Sequence, residues 1–220
     1  MAGIQLINTH HLHTRLLAII IPICLLAASC SDGKVTSSWK AAQAGQLPKD
    51  HKVLILGIIQ DQDVRLRMQM EGFMVDALKE KGYNAVSAYT LYGPKQFGKM
   101  DEQAMLDRLR NSGIDQVMTI TLLDRSRERH YTPPAGYNPY SPFWDYYSYR
   151  YAMLYGPSPG YITTNTRFFW ETNLYTVNGK NLVFSIQSET FNPSSTSSLG
   201  KSYSRLILKN MTKAGLLAEK

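Results

Sequence analysis

The sequence predicts an α/β (α+β) domain. A mixed sheet of about five strands is expected, in the order β-α-β-α-β, a long Tyr/Pro-rich insertion, a β-hairpin and a closing helix. Three observations carry this. Residues 52–59, Lys-Val-Leu-Ile-Leu-Gly-Ile-Ile, form a continuous apolar run of strand length, as in strands buried on both faces. Helical and strand patterns then alternate, which favours parallel pairing through crossovers. Finally, residues 162–190 alternate with period two about Asn178-Gly179, a strong hairpin signal because both residues tolerate positive φ in a type I′ turn.

After the first strand the chain turns polar at Gln60-Asp61-Gln62-Asp63. Asp61 or Asp63 is placed to cap the next helix by accepting from its free N–H groups. That helix is expected over residues 64–81, since Leu66, Met70, Phe73, Met74, Ala77 and Leu78 recur at helical spacing. Lys79 and Lys81 suit its negative end and Gly82 its stop. Residues 83–88 read as a weaker strand, completing a βαβ unit of right-handed sense. Gly93-Pro94 marks a loop. A second helix is expected over 101–111, burying Met105, Leu106 and Leu109, and a third strand over 114–123.

The third strand runs on into Asp124-Arg125-Ser126-Arg127-Glu128-Arg129-His130. If the chain stays extended, Arg125, Arg127 and Arg129 share one face and Asp124, Ser126, Glu128 and His130 the other. The strip reads either as an anion-binding surface or as a solvated strand end whose charges discourage edge pairing. Residues 131–161 hold nine of the 14 tyrosines and six of the 10 prolines, with Phe143 and Trp144 and no visible apolar period. A loop of this length is usually functional or disordered. Tyrosine offers a flat apolar face plus a hydroxyl, suited to stacking on sugars or to a wet interface. Tyr137, Tyr140, Trp144, Tyr146 and Tyr147 are therefore candidate binding residues; the plainer alternative is an insertion without a ligand. In the hairpin, Phe168, Trp170, Thr172 and Leu174 point one way, and Leu182, Phe184 and Ile186 point inward on the return strand. A last helix is expected over 198–214, with Leu199, Tyr203, Leu206, Ile207 and Met211 near one face.

Residues 1–29 read as an export signal. Arg15 is their one full charge, and the apolar core 16–28 is shorter than the roughly 20 residues a membrane span needs. Leu25-Leu26-Ala27-Ala28-Ser29-Cys30 matches a lipobox, with Ala27 where leucine is commonest; cleavage there puts lipid on Cys30. Cleavage by an ordinary signal peptidase would instead release a secreted protein. His10, His11 and His13 imitate a metal cluster, in a segment expected to be removed. Ser31 after the cysteine leans toward the outer membrane. Residues 30–48 read as a polar tether in which Trp39 docks on the domain and Val35-Thr36-Ser37 offers at most a short edge strand. Residues 49–220 then form one domain with the insertion 131–161.

Without Arg15 the chain keeps 23 of its 24 basic residues against 17 acidic ones, a charge of +6. That balance favours anionic partners, lipid headgroups or an acidic polysaccharide, and nucleic acid is not expected in an envelope compartment. Cys30 would be the sole cysteine after processing, which excludes a disulfide, a thiol nucleophile and a Cys-based zinc site.

Cys30, Val53-Leu54-Ile55-Leu56-Gly57 with Asp61, residues 83–88, Tyr92-Gly93-Pro94 and Phe169-Trp170-Glu171 together resemble a group of uncharacterised Gram-negative envelope lipoproteins. In outline the element order is similar to the TolB amino-terminal domain and to LpoB-type lipoproteins. The resemblance implies a fold and a compartment and no settled activity.

Catalytic signatures are absent from the sequence: there is no G-x-S-x-G elbow, phosphate-binding glycine loop or H-E-x-x-H. His51 and His130 flank different strands. The crevice beyond the strand C-termini is the best site by topology. It would gather Asp61, Asp63, Arg65 and Arg67, Tyr89 and Tyr92, and Asp124 and Arg125, as a metal or hydrolase site or simply as caps and ion pairs. The expectation is a membrane-held, cofactor-free, non-enzymatic binding module with an envelope protein or anionic polysaccharide as partner. A glycan-binding module and a hydrolase at the Asp61/Asp63 rim are the alternatives.

Overall fold

A computed structural model of the protein describes residues 33–94, 100–132, 142–155 and 161–219. Cys30, Tyr137, Tyr140 and the whole segment 1–29 lie outside these residues, as does the side chain of Asp61. The strands are β1 (Gly33–Lys40), β2 (Lys52–Ile58), β3 (Asn84–Ser87), β4 (Gln116–Thr132), β5 (Tyr161–Thr176) and β6 (Leu182–Phe191). The helices are α1 (Val64–Glu80), α2 (Ala88–Tyr92), α3 (Glu102–Asn111), α4 (Phe143–Tyr155) and α5 (Thr196–Lys213). They form the expected mixed α/β architecture on one six-stranded sheet of order β1-β6-β5-β4-β2-β3. β2 runs parallel to β3 and β4, and the remaining neighbours are antiparallel.

One face of the sheet carries the larger core. Val53, Ile55, Met118, Ile120, Trp170, Leu174, Phe184 and Ile186 meet Met70, Met74 and Leu78 of α1 and Leu199, Tyr203, Ile207 and Met211 of α5. α1 and α5 also pack on each other, and Gly200 lets them approach, since a Cβ there would strike the Phe73 ring. Buried Tyr203 and Thr172 share a hydrogen bond that fixes α5 to β5. α5 starts with a capping box between Ser195 and Ser198, which pairs N–H groups the helix leaves free.

Among the described residues the opposite face is only half covered. Leu54 packs with Leu106 and Leu109 of α3, Ala88, Ile114 and Val177 in a second core. Beyond it, β5, β6 and β1 present a polar surface in which Glu171 accepts from Asn173 Nδ2 (2.9 Å) and Gln187 Nε2 (3.0 Å). The buried residues of both cores lie within residues 47–217, with Val35 and Ala44 packed against the larger one.

Five expectations change. The tether read over 30–48 contains β1, an eight-residue strand on the sheet edge along β6, around the alternation at Val35; Trp39 does not dock but stands half exposed. The insertion holds a helix, α4, where no period was visible. Asp63 occupies the cap position of α1 without a side-chain cap bond, because its carboxylate is committed to Arg125. The hairpin turn places its left-handed residue at Lys180 (φ 54°) and not at Asn178-Gly179. Val177 there is buried, and its N–H donates to Asp115 O (2.9 Å), which draws the turn beyond two residues.

Candidate functional site

β4 outruns the parallel part of the sheet. Its pairing with β5 continues from Asp124↔Phe169 to Thr132↔Tyr161, while β6 accompanies β5 only as far as Arg167↔Phe191, so from Arg127↔Thr166 onward the two strands leave the domain as a two-stranded ribbon. A register shift between Leu122 and Asp124 leaves Leu123 as a bulge. Bulges re-aim the side chains that follow. Here Arg125, not Asp124, inherits the face of Leu122 and Ile120, above α1 and α5.

That re-aiming builds the base of the ribbon. Arg125 Nη2 lies 3.1 Å from Asp63 Oδ2 and its guanidinium sits 5.1 Å over the Phe168 ring. Phe168 stacks on Trp170, which meets Tyr203 in the core. Arg127 and Arg129 follow at period two, exposed. The other face carries a row of alternating charge across four strands. Lys34 bonds Glu189 (3.1 Å), Glu189 bonds Arg167 (2.8 Å), Arg167 nears Glu128 (3.5 Å) and Glu128 nears His130 (3.6 Å). Lys34, and then Arg167, hold the Glu189 carboxyl below the usual carboxylate range against the opposing effect of its burial.

The ribbon leads through residues 133–141 and 156–160 to α4. This helix is Phe-Trp-Asp-Tyr-Tyr-Ser-Tyr-Arg-Tyr-Ala-Met-Leu-Tyr, and apart from half-buried Tyr149 its described side chains are exposed. Phe143, Tyr147, Tyr151 and Tyr155 fall four apart and run as one ladder, with ring centroids 6.0, 6.0 and 4.7 Å apart. Trp144 meets Phe143 and Tyr147 edge-on and is 70% exposed. Thus Trp144, Tyr146 and Tyr147 come together on one helix, with Arg150 over the Tyr146 ring at 5.4 Å. No helix among the described residues is long and apolar enough to cross a membrane.

The strand-end crevice is organised otherwise than expected. Asp63 and Arg125 meet, Arg65 is exposed, and Asp124 points from the opposite face of the sheet. Among the described residues no three His, Cys, Asp or Glu side chains gather as a metal-binding group.

No family description matches the sequence, and no curated protein sequence does. Solved structures with a similar outline include two of the PelC dodecamer from Paraburkholderia phytofirmans, one a point variant. They have TM-scores of 0.46 and 0.45 at 12% and 14% identity, each spanning 85% of this chain and 99% of the other. Another is the lipoprotein GNA1162 from Neisseria meningitidis, with TM-score 0.42 at 15% identity over 74% of this chain and 99% of the other. The likeness is one of fold outline.

The crevice does hold one group that sequence reasoning missed. Glu71 of α1 is fully buried. Its Oε1 accepts from Gly57 N (2.9 Å), and its Oε2 accepts from Ser87 Oγ (2.5 Å) and Tyr89 N (2.8 Å). One carboxylate therefore ties the ends of β2 and β3 and the start of α2 to α1. Arg67, one turn earlier and also buried, donates to Pro94 O (2.9 Å). Gly57 makes room for both, since a Cβ there would lie 2.7 Å from Arg67 Cγ and 3.0 Å from Glu71 Oε1. The sequence signal was a charged pair at i and i+4 on the apolar face of α1, beside Met70 and Met74.

Proposed function

We propose that this chain is a lipid-anchored bacterial envelope protein whose α/β domain is a non-enzymatic binding module, with the aromatic-tipped ribbon as its contact surface. The observation that supports it is α4, an aromatic helix outside both cores on which Phe143, Trp144, Tyr146, Tyr147, Tyr151 and Tyr155 are exposed. Large exposed apolar patches in soluble proteins mark interaction sites. The outer membrane as its location, and the likeness of its outline to TolB and LpoB domains, belong to the same proposal. The anchor is tested by fractionating cells that express Cys30→Ser: the variant stays unprocessed or leaves the membrane. Normal processing with continued membrane retention would sink the anchor. The contact surface is tested by a photo-cross-linker at position 144 in intact cells, which should capture a discrete partner molecule, protein or lipid, that a cross-linker at exposed Lys209 does not.

A second reading is favoured by the exposed Trp144 ring beside Tyr147, a stacking platform for a sugar face. Replacing Tyr140, Trp144 and Tyr147 by Ala should then abolish retention on polysaccharide, and unchanged retention would remove this reading.

A further inference from the structure

β1 begins at the end of the sheet from which the ribbon rises. Gly33 pairs with Thr190, Thr190 with Phe168 and Phe168 with Arg125, so Gly33 stands level with Arg125. β1 runs downward from that level, and residues before Gly33 therefore start at the end from which the ribbon rises. Cys30 is three residues before Gly33, and three residues reach at most about 11 Å. The ribbon climbs seven residues beyond Arg125 to Thr132, about 24 Å at strand rise. With lipid on Cys30, an anchor of that reach would hold the end of the sheet from which the ribbon rises close to the bilayer surface.

The chemistry of α4 fits that position. At 100° per residue, Phe143, Leu154, Tyr147, Tyr151, Trp144 and Tyr155 occupy one third of the helix circumference, while half-buried Tyr149 lies opposite, with Asp145 and Ala152 on the same far side. Tryptophan and tyrosine collect at membrane–water interfaces, where the ring is in the acyl boundary and the polar tip among headgroups. A 13-residue helix spans about 20 Å, too short to cross and long enough to lie flat. The exposed Arg127, Arg129 and Arg150 complement an anionic headgroup layer.

We propose that α4 lies in the interface of an anionic phospholipid bilayer, the same one that receives the lipid on Cys30, with its Phe143/Trp144/Tyr147/Tyr151/Leu154/Tyr155 stripe facing the acyl chains. The proposal names the partner of the contact surface above and takes the bilayer's place from the lipid-anchor reading, but its test needs no lipid on the protein. The chain from residue 30 onward carrying Cys30→Ser contains both cores. Adding Trp39→Phe leaves Trp144 as its exposed tryptophan, since Trp170 is fully buried. On vesicles of phosphatidylglycerol and phosphatidylethanolamine, Trp144 emission should shift to the blue and be quenched by brominated lipid. Partition of the Cys30→Ser chain should fall at least about tenfold in Trp144→Ser/Tyr147→Ser/Tyr151→Ser, and stay within about twofold in Ala152→Ser on the opposite side. Unmoved emission in the presence of vesicles, or equal vesicle binding by the triple variant, would overturn the proposal. So would burial of Trp144 in a dimer or on polysaccharide without vesicles. A positive vesicle result together with unchanged processing of Cys30→Ser in cells would keep the interfacial helix and remove the anchor; the reverse pair would do the opposite.

Discussion

Glu71 shows how much one side chain can hold. Its carboxylate pairs three donors that would otherwise end inside the domain, at the point where β2, β3 and α2 converge on α1. A buried donor without a partner costs about 1–3 kcal/mol. Glu71→Ala should therefore destabilise by about 3 kcal/mol or more, lowering Tm by roughly 6–12 °C in calorimetry. Gly57→Ala acts on the same cluster by crowding and should cost about 1–3 kcal/mol. Glu189 supplies a pH dependence. Its folded-state value is depressed, so the stability it adds is present above the ordinary glutamate range, about pH 4.3, and is lost as pH falls through its lower folded value. Unfolding midpoints measured from pH 6 to 3 should fall more steeply for the parent than for Glu189→Gln.

At the scale of elements, the domain and the ribbon tip divide the work. α4 contributes none of its described side chains to either core. Thr132 and Tyr161 face each other as the last ribbon pair, so residues 133–160 can be replaced by Asn-Gly, which closes a two-residue hairpin. That excision should leave the domain's stability within about 1 kcal/mol by denaturant titration, while the contact function is lost. A drop comparable to the Glu71→Ala effect would show that the tip packs on the domain. β1 is the contrasting case. It lies on the sheet edge and hides the hydrogen-bonding groups of β6. A chain that starts at Ala41 should unfold earlier and self-associate, because an uncovered edge pairs with another chain; light scattering checks this.

On the whole molecule, the sequence carried most of the fold and little of the site. The buried run at 52–59, the period of α1, α3 and α5, and the alternation about Asn178-Gly179 each report a local environment, and local periods survive in sequence because neighbouring residues share a face. The bulge at Leu123 is not such a signal: it exists because β4 and β5 pair in a given register, and it decides that Arg125 meets Asp63. Glu71 was hidden for a related reason, since a charged residue on an apolar helix face looks like an interruption until its three donors, from 14 to 18 residues away in the chain, are in place. α4 escaped because tyrosine is ambivalent: its ring is apolar and its hydroxyl polar, so an aromatic stripe does not register as an apolar period. By itself the sequence determined the mixed α/β class, the order of β2, α1, β3, α3, β4, β5, β6 and α5, the basic balance and the cysteine at position 30. Only the tertiary structure decided that the exposed rings of the aromatic helix join neither core, and that β1 begins at the end of the sheet from which the ribbon rises. Strand pairing over more than a hundred residues places those two features together, and no local pattern encodes a distance of that kind.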